Sequence, residues 1–312
     1  MESRVYYFDK LRTVAILCVV AFHSAVGYSG SAPFWPFRGE QAGRGLALVL
    51  YIADIVMMPL MLLIAGYFTL PSYQTRGGKG FLGPKLRRLG IPWLVVSFLL
   101  LPLLDYLHYR TRLSGTLDVA QYLVLCWKRI CSPYFGFLDM SAFIPLIDQY
   151  YQRYMWFISL LLAMYLVFPP LYRLKKLLFR GKGLGIGAAV AILYAASFSL
   201  ALFSFAVLRS GMNWLSLGNI LQFQPVKLAF YISLFWFGVW CRERGLLSEA
   251  GLFRRSWPLG AAALVLVAPA FASGLVLSRS AVPELWMKAA YALAYSGITI
   301  SSTLFLLNLW QR

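Results

Sequence analysis

The sequence predicts an all-α protein, a polytopic transmembrane helical bundle of about eight spans, built as one integral membrane domain over residues 1–312. Three observations lead there. Hydrophobic residues make up 60% of the chain and charged residues 13%, against roughly 45–50% and about 25% in soluble domains. Mean hydropathy is +0.69. A water-soluble fold this apolar lacks the polar surface to cover itself. Apolar runs recur at about the 20 residues that cross roughly 30 Å of hydrocarbon. Finally, 29 Lys and Arg stand against 11 Asp and Glu, a net charge of +18, and the basic residues concentrate in alternate connections. These features exclude a disordered chain, a nucleic-acid module and most soluble enzymes. In a soluble protein such a surplus would point to nucleic acid. Here it matches basic loops held at a cytoplasmic leaflet, so the expected surroundings are a lipid bilayer and no nucleic acid.

The runs cover approximately 11–30, 46–70, 89–107, 155–171, 184–208, 225–241, 257–278 and 286–310. The first is long and has no small-residue cleavage site after it, unlike a cleaved signal peptide. No inverted pair of interrupted helices of the transporter kind stands out. With the N-terminus inside, the inner connections hold eighteen of the 29 basic residues. They include Arg4, Lys10 and Arg12, the group from Arg76 to Arg88, Arg173 to Lys182 (with Lys176 and Arg180), Arg242 to Arg255 (with Arg254), and Arg312. The positive-inside rule therefore predicts a multi-pass protein of the cell (inner) membrane with a cytoplasmic N-terminus. The longest connection, 108–154, carries Asp118, Asp139 and Asp148 among many aromatics and falls outside. Such a loop serves as a lid or acceptor site, or as a partly helical cover, since Leu117 to Trp127 has a helix-like apolar pattern.

The segment FDKLRTVAILCVVAFHSAVGYSG is the most informative. Arg12 and His23 are eleven residues apart; eleven steps of 100° make about three turns, so both face the same way, about 16 Å apart along the axis. Ionisable groups inside a membrane are costly and functional by default. Desolvation favours the neutral imidazole, a form suited to take a proton from a hydroxyl. The bland readings are a packing histidine and a snorkelling, positive-inside arginine. Asp9 lies one turn before Arg12, where it complements the helix dipole or pairs with that arginine.

Further along, KGFLGPKLRRLGIPWLVV places Lys85, Arg87 and Arg88 before a helix entering through Gly90 and Pro92. Clustered cations at a helix N-terminus make an anion site, and Arg binds phosphates in bidentate fashion; basic residues beside a span are equally expected from topology alone. Asp54, inside the second span, calls for an ion-pair partner, a structural hydrogen bond or a catalytic role, and Trp156 reads as an interfacial belt residue. With His23 and His108 the only histidines and no C-x-x-C among Cys18, Cys126, Cys131 and Cys241, no metal site is expected. Cys126 and Cys131 are read as free thiols, or as a disulfide if their loop meets an oxidising compartment.

FDKLRTVAILCVVAFH resembles the opening of the acyltransferase 3 family of integral membrane acyltransferases, whose signature of Asp, two residues, Arg, ten residues and His falls here on Asp9, Arg12 and His23. MMPLMLLIAGYF is similar to the family's second-span Ser-Gly-Tyr/Phe pattern, with Ala65 in place of Ser before Gly66 and Tyr67. KLRRLGIPW resembles the basic Arg-x-x-Arg entry, with Lys85 first and Arg88 last; YMWFISLLL resembles a His-Leu-Trp-Phe pattern, with Tyr154 where His is common; and FYISLFWFGVW is similar to a later aromatic span ending near Gly238. The likeness runs closest to the glucan-modifying succinyltransferase-like subgroup. Family members usually have about ten spans, so this chain is expected to lack the last of them.

The resemblance implies an O-acyltransferase that moves an acetyl or succinyl group from cytoplasmic acyl-CoA to a hydroxyl of an envelope glycan or other extracytoplasmic acceptor. It assigns His23, Arg12 and Asp9 to catalysis and Arg12, Lys85, Arg87 and Arg88 to the donor, with acyl-CoA as co-substrate and no bound cofactor. His23 then serves as general base or as transient acyl carrier. The alternatives are a transporter or flippase of a small polar or lipid-linked solute, and an acyl-handling module that needs a partner for its missing spans.

Overall fold

The computed structural model describes residues 6–29, 39, 43–138, 149–178, 185–207, 213–247, 257–280 and 284–310. Arg4, Arg180, Lys182, Arg254, Arg255 and Arg312, the side chain of Lys176, and the loop carboxylates Asp139 and Asp148 lie outside the described residues. Helix α1 runs Tyr6–Val26, α2 Arg44–Lys85, α3 Ile91–Val95, α4 Leu101–Arg112, α5 Val119–Cys131, α6 Trp156–Leu178, α7 Ile186–Val207, α8 Pro225–Glu243, α9 Trp257–Arg279 and α10 Leu285–Trp310. The fold is all-α, as expected.

Among the described residues, five helical stretches are long and apolar enough to cross a membrane: Gly45–Arg112, Arg153–Lys175, Ile186–Val207, Trp257–Leu277 and Leu285–Trp310. The first covers two of the expected spans. It breaks at Gly77, whose φ of +66° falls in the left-handed region that a residue without Cβ enters freely. Beyond the break, π-helical turns Leu86–Gly90 and Val96–Leu100 alternate with α3 and α4. The other two expected spans form α1, of 21 residues, and α8, of 19. Helix α1 begins five residues earlier than the apolar run and ends in a turn at Gly27, because the charges of Asp9 and Lys10 interrupt the apolar run without interrupting the helix.

Helices α2 and α8 form the centre. A Cβ on Gly66 would stand 2.0 Å from the Phe235 carbonyl oxygen, and one on Gly238 would stand 2.1 Å from that of Leu63. Each helix thus presents a glycine to the other's backbone, the close approach that small residues permit between helices in lipid. Around this contact lie three apolar clusters. One centres on Leu63, Tyr67, Leu234 and Leu304, one on Ile55, Phe230, Tyr291 and Tyr295, and one on Leu62, Phe168, Tyr231 and Phe235.

The long connection is ordered where it is described. Its expected helical cover is α5, which starts at a capping box: Asp118 Oδ1 accepts from the Gln121 backbone N–H at 2.9 Å, and Gln121 Oε1 accepts from the Asp118 N–H at 3.2 Å. Cys126 and Cys131 are free; burial pushes the Cys126 thiol up to about 12, which keeps it protonated at neutral pH. A feature absent from the sequence reading is a three-stranded antiparallel sheet of β1 (Phe135–Phe137), β2 (Leu215–Leu217) and β3 (Leu221–Phe223). The chain between Tyr150 and Arg153 is tied to it. The Gln152 N–H donates to Gln222 Oε1 at 2.7 Å, Gln152 Nε2 donates to the carbonyls of Asn219 (2.8 Å) and Ile220 (2.6 Å), and Gln222 Nε2 donates to the Tyr150 carbonyl at 2.8 Å.

Replacing Gly66 by Ala forces α2 and α8 apart and is expected to lower stability by about 1–3 kcal/mol, the usual cost of overpacking. Gly83, with nothing within 4 Å of the added carbon, serves as control. Thermal unfolding in detergent micelles checks this; equal midpoints for the two variants would refute the close-packing role.

Candidate active site

The last turn of α1 carries His23 into the wall of a cavity of about 450 Å³. Its imidazole meets Tyr154 edge-on at 4.8 Å between ring centres and Phe22 at 5.2 Å. The other walls come from the starts of α2, α6 and α8, the end of α9 and the residue before β2: Asp54 and Tyr51, Arg153 and Trp156, Lys227 and Tyr231, Phe271, and Trp214. Trp214 contacts Tyr151 at 5.2 Å and Trp156 at 5.4 Å, and Trp156 stacks on Tyr231 at 5.7 Å. The result is an aromatic cup with a few convergent polar groups, the usual make-up of a small-molecule site.

Two ion pairs border the cup. Asp54 is bonded to the Lys227 ammonium, which supplies the partner that a carboxylate inside a span requires. Arg153 reaches Asp105 of α4 through Nη2 to Oδ1 at 2.6 Å and Nε to Oδ2 at 3.4 Å, with both side chains almost fully buried. Trp156, read from sequence as a belt residue, lines the cavity.

The remaining predicted residues gather at the opposite end of α1, about 16 Å from His23 for Arg12 and about 21 Å for Asp9 at 1.5 Å per residue. The Arg12 guanidinium lies 4.3 Å from the centre of the Phe68 ring, and the Lys85 ammonium 4.5 Å from that of Tyr165. Arg242 stands 5.3 Å from the centre of Tyr67 and donates to its hydroxyl at 3.3 Å. Phe8 packs on Tyr67 at 4.9 Å and on Phe68 at 5.1 Å. These cations therefore rest on an aromatic floor, where each attraction is worth about 0.5–1 kcal/mol when exposed and more when desolvated. The charges of Arg12 and Arg88 repel each other, and Lys85 feels those of Arg12, Arg88 and Arg76. Such crowding of like charge has the form of a site for a polyanion. Asp9 acts on Arg12 as the nearby opposite charge, and its backbone carbonyl accepts from the Thr13 hydroxyl at 3.0 Å. Arg87 is exposed on the π-helical turn and is not among the charges acting on Arg12 or Lys85.

The predicted residues thus form two groups: His23 alone in the cup, and Arg12, Lys85, Arg88 and Asp9 at the far end. One helix connects them. Tyr154, at the position where the resembled pattern has His, is the ring that packs against His23.

A family model for an acyltransferase domain, that of acyltransferase 3, matches residues 5–311, so the chain belongs to the acyltransferase 3 family. It is an acyl-transferring membrane protein in which the matched domain and the described helices cover the same chain. No curated protein and no solved structure gives a significant match.

Sequence reasoning passed over Arg153, Lys227, Gln224, Tyr151, Tyr231 and Trp214. Arg153 and Lys227 flank spans, where a cation reads as topology. The available signal was Asp54, a carboxylate in a span for which an ion pair was one of the readings. Removing Lys227 alone (Lys227→Ala) is expected to destabilise by about 1–2 kcal/mol, below the range for fully buried pairs because both side chains are partly exposed. The double change Asp54→Asn/Lys227→Gln should recover most of the loss. Unfolding midpoints of the two variants test this, and a double variant no better than the single one would contradict the pairing.

Proposed function

We propose that this protein is a membrane-embedded O-acyltransferase that passes an acetyl or succinyl group from acyl-CoA to a hydroxyl of a glycan or other extracytoplasmic acceptor. The observation that carries this reading is the placement of His23 in an aromatic cup on the same α1 face, three turns from the cation cluster around Arg12. By the excess of basic residues, the Arg12 end faces the cytoplasm of the inner membrane. Acyl-CoA is a cytoplasmic polyanion. Its phosphates suit Arg12, Lys85 and Arg88, and the aromatic floor of Phe68 and Tyr165 suits the base or the pantetheine arm. The arm then points the thioester along α1 toward the cup.

In the cup, Trp156, Trp214 and Tyr151 offer ring faces for the apolar side of a sugar, and His23 takes the proton of the acceptor hydroxyl as it attacks the thioester carbonyl. A base of this kind contributes typically 10²–10⁴-fold. The bulk of the acceptor stays outside, and only the reacting hydroxyl needs to enter a volume of about 450 Å³.

The test is incubation of purified protein, reconstituted in lipid, with radiolabelled acetyl-CoA or succinyl-CoA and an oligoglucose acceptor, following CoA release and label in the acceptor. Wild-type protein is expected to transfer one of the two groups. His23→Ala should lose at least 10²-fold in kcat with its unfolding midpoint retained, while Lys85→Ala/Arg88→Ala should raise KM for the donor more than it lowers kcat. A fully active His23→Ala protein would overturn the reading.

A further inference from the structure

The guanidinium of Arg153 is held unusually firmly. The residue opens the short turn Arg153–Met155 ahead of α6 at φ +48°, in the left-handed region that a side chain of this size rarely occupies. Such backbone strain persists only where the surroundings over-determine it. They do so here, since the preceding Gln152 is bonded through its N–H and its amide to Gln222, Asn219 and Ile220, and its Oε1 accepts from the Ser159 hydroxyl at 2.7 Å. Arg153 is 4% exposed. Asp105 takes two of its nitrogens, Nη2 and Nε. The third, Nη1, is buried and has no hydrogen-bond partner among the described residues, a costly state for a charged donor. Arg153 lines the cavity that holds His23, whereas Asp105 is not among the lining residues. Arg153 therefore joins a carboxylate outside the lining to the wall of the cavity, and Tyr154, next in sequence, packs against His23.

The charge balance identifies what Nη1 is for. Around the cup, Asp54 balances Lys227 and Asp105 balances Arg153. Among the described residues, these pairs leave the resting cavity without net charge. Such a cavity suits a reaction that creates one positive and one negative charge together. Acyl transfer does this when the acceptor proton reaches His23 and the carbonyl oxygen becomes an alkoxide.

We propose that Arg153 is a catalytic residue whose Nη1 donates a hydrogen bond to the carbonyl oxygen of the transferred acyl group and stabilises its oxyanion. This rests on the O-acyltransferase reading above. In the step, the acceptor oxygen bonds to the thioester carbonyl carbon while its proton passes to His23. The π-electron pair of the C=O bond moves onto the carbonyl oxygen, beside Nη1. When the C=O bond re-forms, the C–S bond breaks and the CoA thiolate leaves, taking the proton from His23. A preset donor aimed at such an oxygen is worth about 10²–10³ in kcat. Asp105 and Gln152 are positioning residues, acting through Arg153.

Two variants test the proposal. Arg153→Lys keeps a cation for Asp105 and removes the second branch of the fork. Arg153→Gln/Asp105→Asn removes the ion pair without leaving a buried carboxylate unpaired. Both are assayed as reconstituted full-length protein with an oligoglucose acceptor and with two donors, acetyl-CoA and fluoroacetyl-CoA, whose carbonyl is more electrophilic and whose oxyanion is less basic. The expected result is a fall in kcat of about 10²–10³-fold with acetyl-CoA, KM for the donor changed less than threefold (~0.65 kcal/mol), and a clearly smaller deficit with fluoroacetyl-CoA. A purely structural role lowers both donors equally. Equal deficits, or kcat within threefold (~0.65 kcal/mol) of wild type in either variant, overturn the Arg153 assignment while a dead His23→Ala leaves the enzyme reading standing. Wild-type protein that consumes neither thioester overturns both.

Discussion

Helices α2 and α8 meet backbone to backbone, with Gly66 against the Phe235 carbonyl and Gly238 against that of Leu63, and both the cup and the cation cluster depend on that contact. Toward one end the pair carries Asp54 and Lys227 into the cup. Toward the other, the same two helices carry Tyr67, Phe68 and Arg242 to the aromatic floor under the cations. A side chain at either glycine would separate the helices along their length and pull apart both sets at once. The two glycines that the resemblance singles out are thus architectural: they set the spacing on which the chemistry is arranged.

Helix α1 supplies the second constraint. A continuous helix from Tyr6 to Val26 fixes the offset between Arg12 and His23. On the proposed reading, a donor anchored by its phosphates at one end would meet the histidine at one reach, a form of proximity that converts binding energy into alignment. The π-helical turn Leu86–Gly90, which contains Arg87 and Arg88, belongs to the same end, and such turns often accompany functional positions.

The sequence made α1 and the offset of Arg12 from His23 legible because the two share one helix, where a fixed angular step relates position to direction. The eight apolar runs were legible for the same reason, since span length depends on local composition alone. The ion pairs were not. Arg153 and Asp105 are 48 residues apart, and each looks ordinary in its own segment, a cation near a span start and an acid near a span end. Strands of three residues carry too little alternation to be seen, so the sheet that holds Gln152, and through it Arg153, was invisible. Gly66 and Gly238 stood out as motif positions, but their facing carbonyls emerge only when the helices are packed. The Asp54 carboxylate was open between an ion pair, a structural hydrogen bond and catalysis, and the structure pairs it with Lys227.

The central claim is that one ligand extends along α1, with its anionic end at Arg12 and its reactive end at His23. The most direct measurement is the structure of the lipid-reconstituted protein bound to a thioether analogue of acetyl-CoA, which cannot be cleaved. The account predicts the phosphates against Arg12, Lys85 and Arg88, with the carbonyl of the analogue inside the cup, its oxygen at Arg153 Nη1. Phosphates bound at the His23 end, or an acyl tail lying outside the bundle with the cup empty, would contradict it.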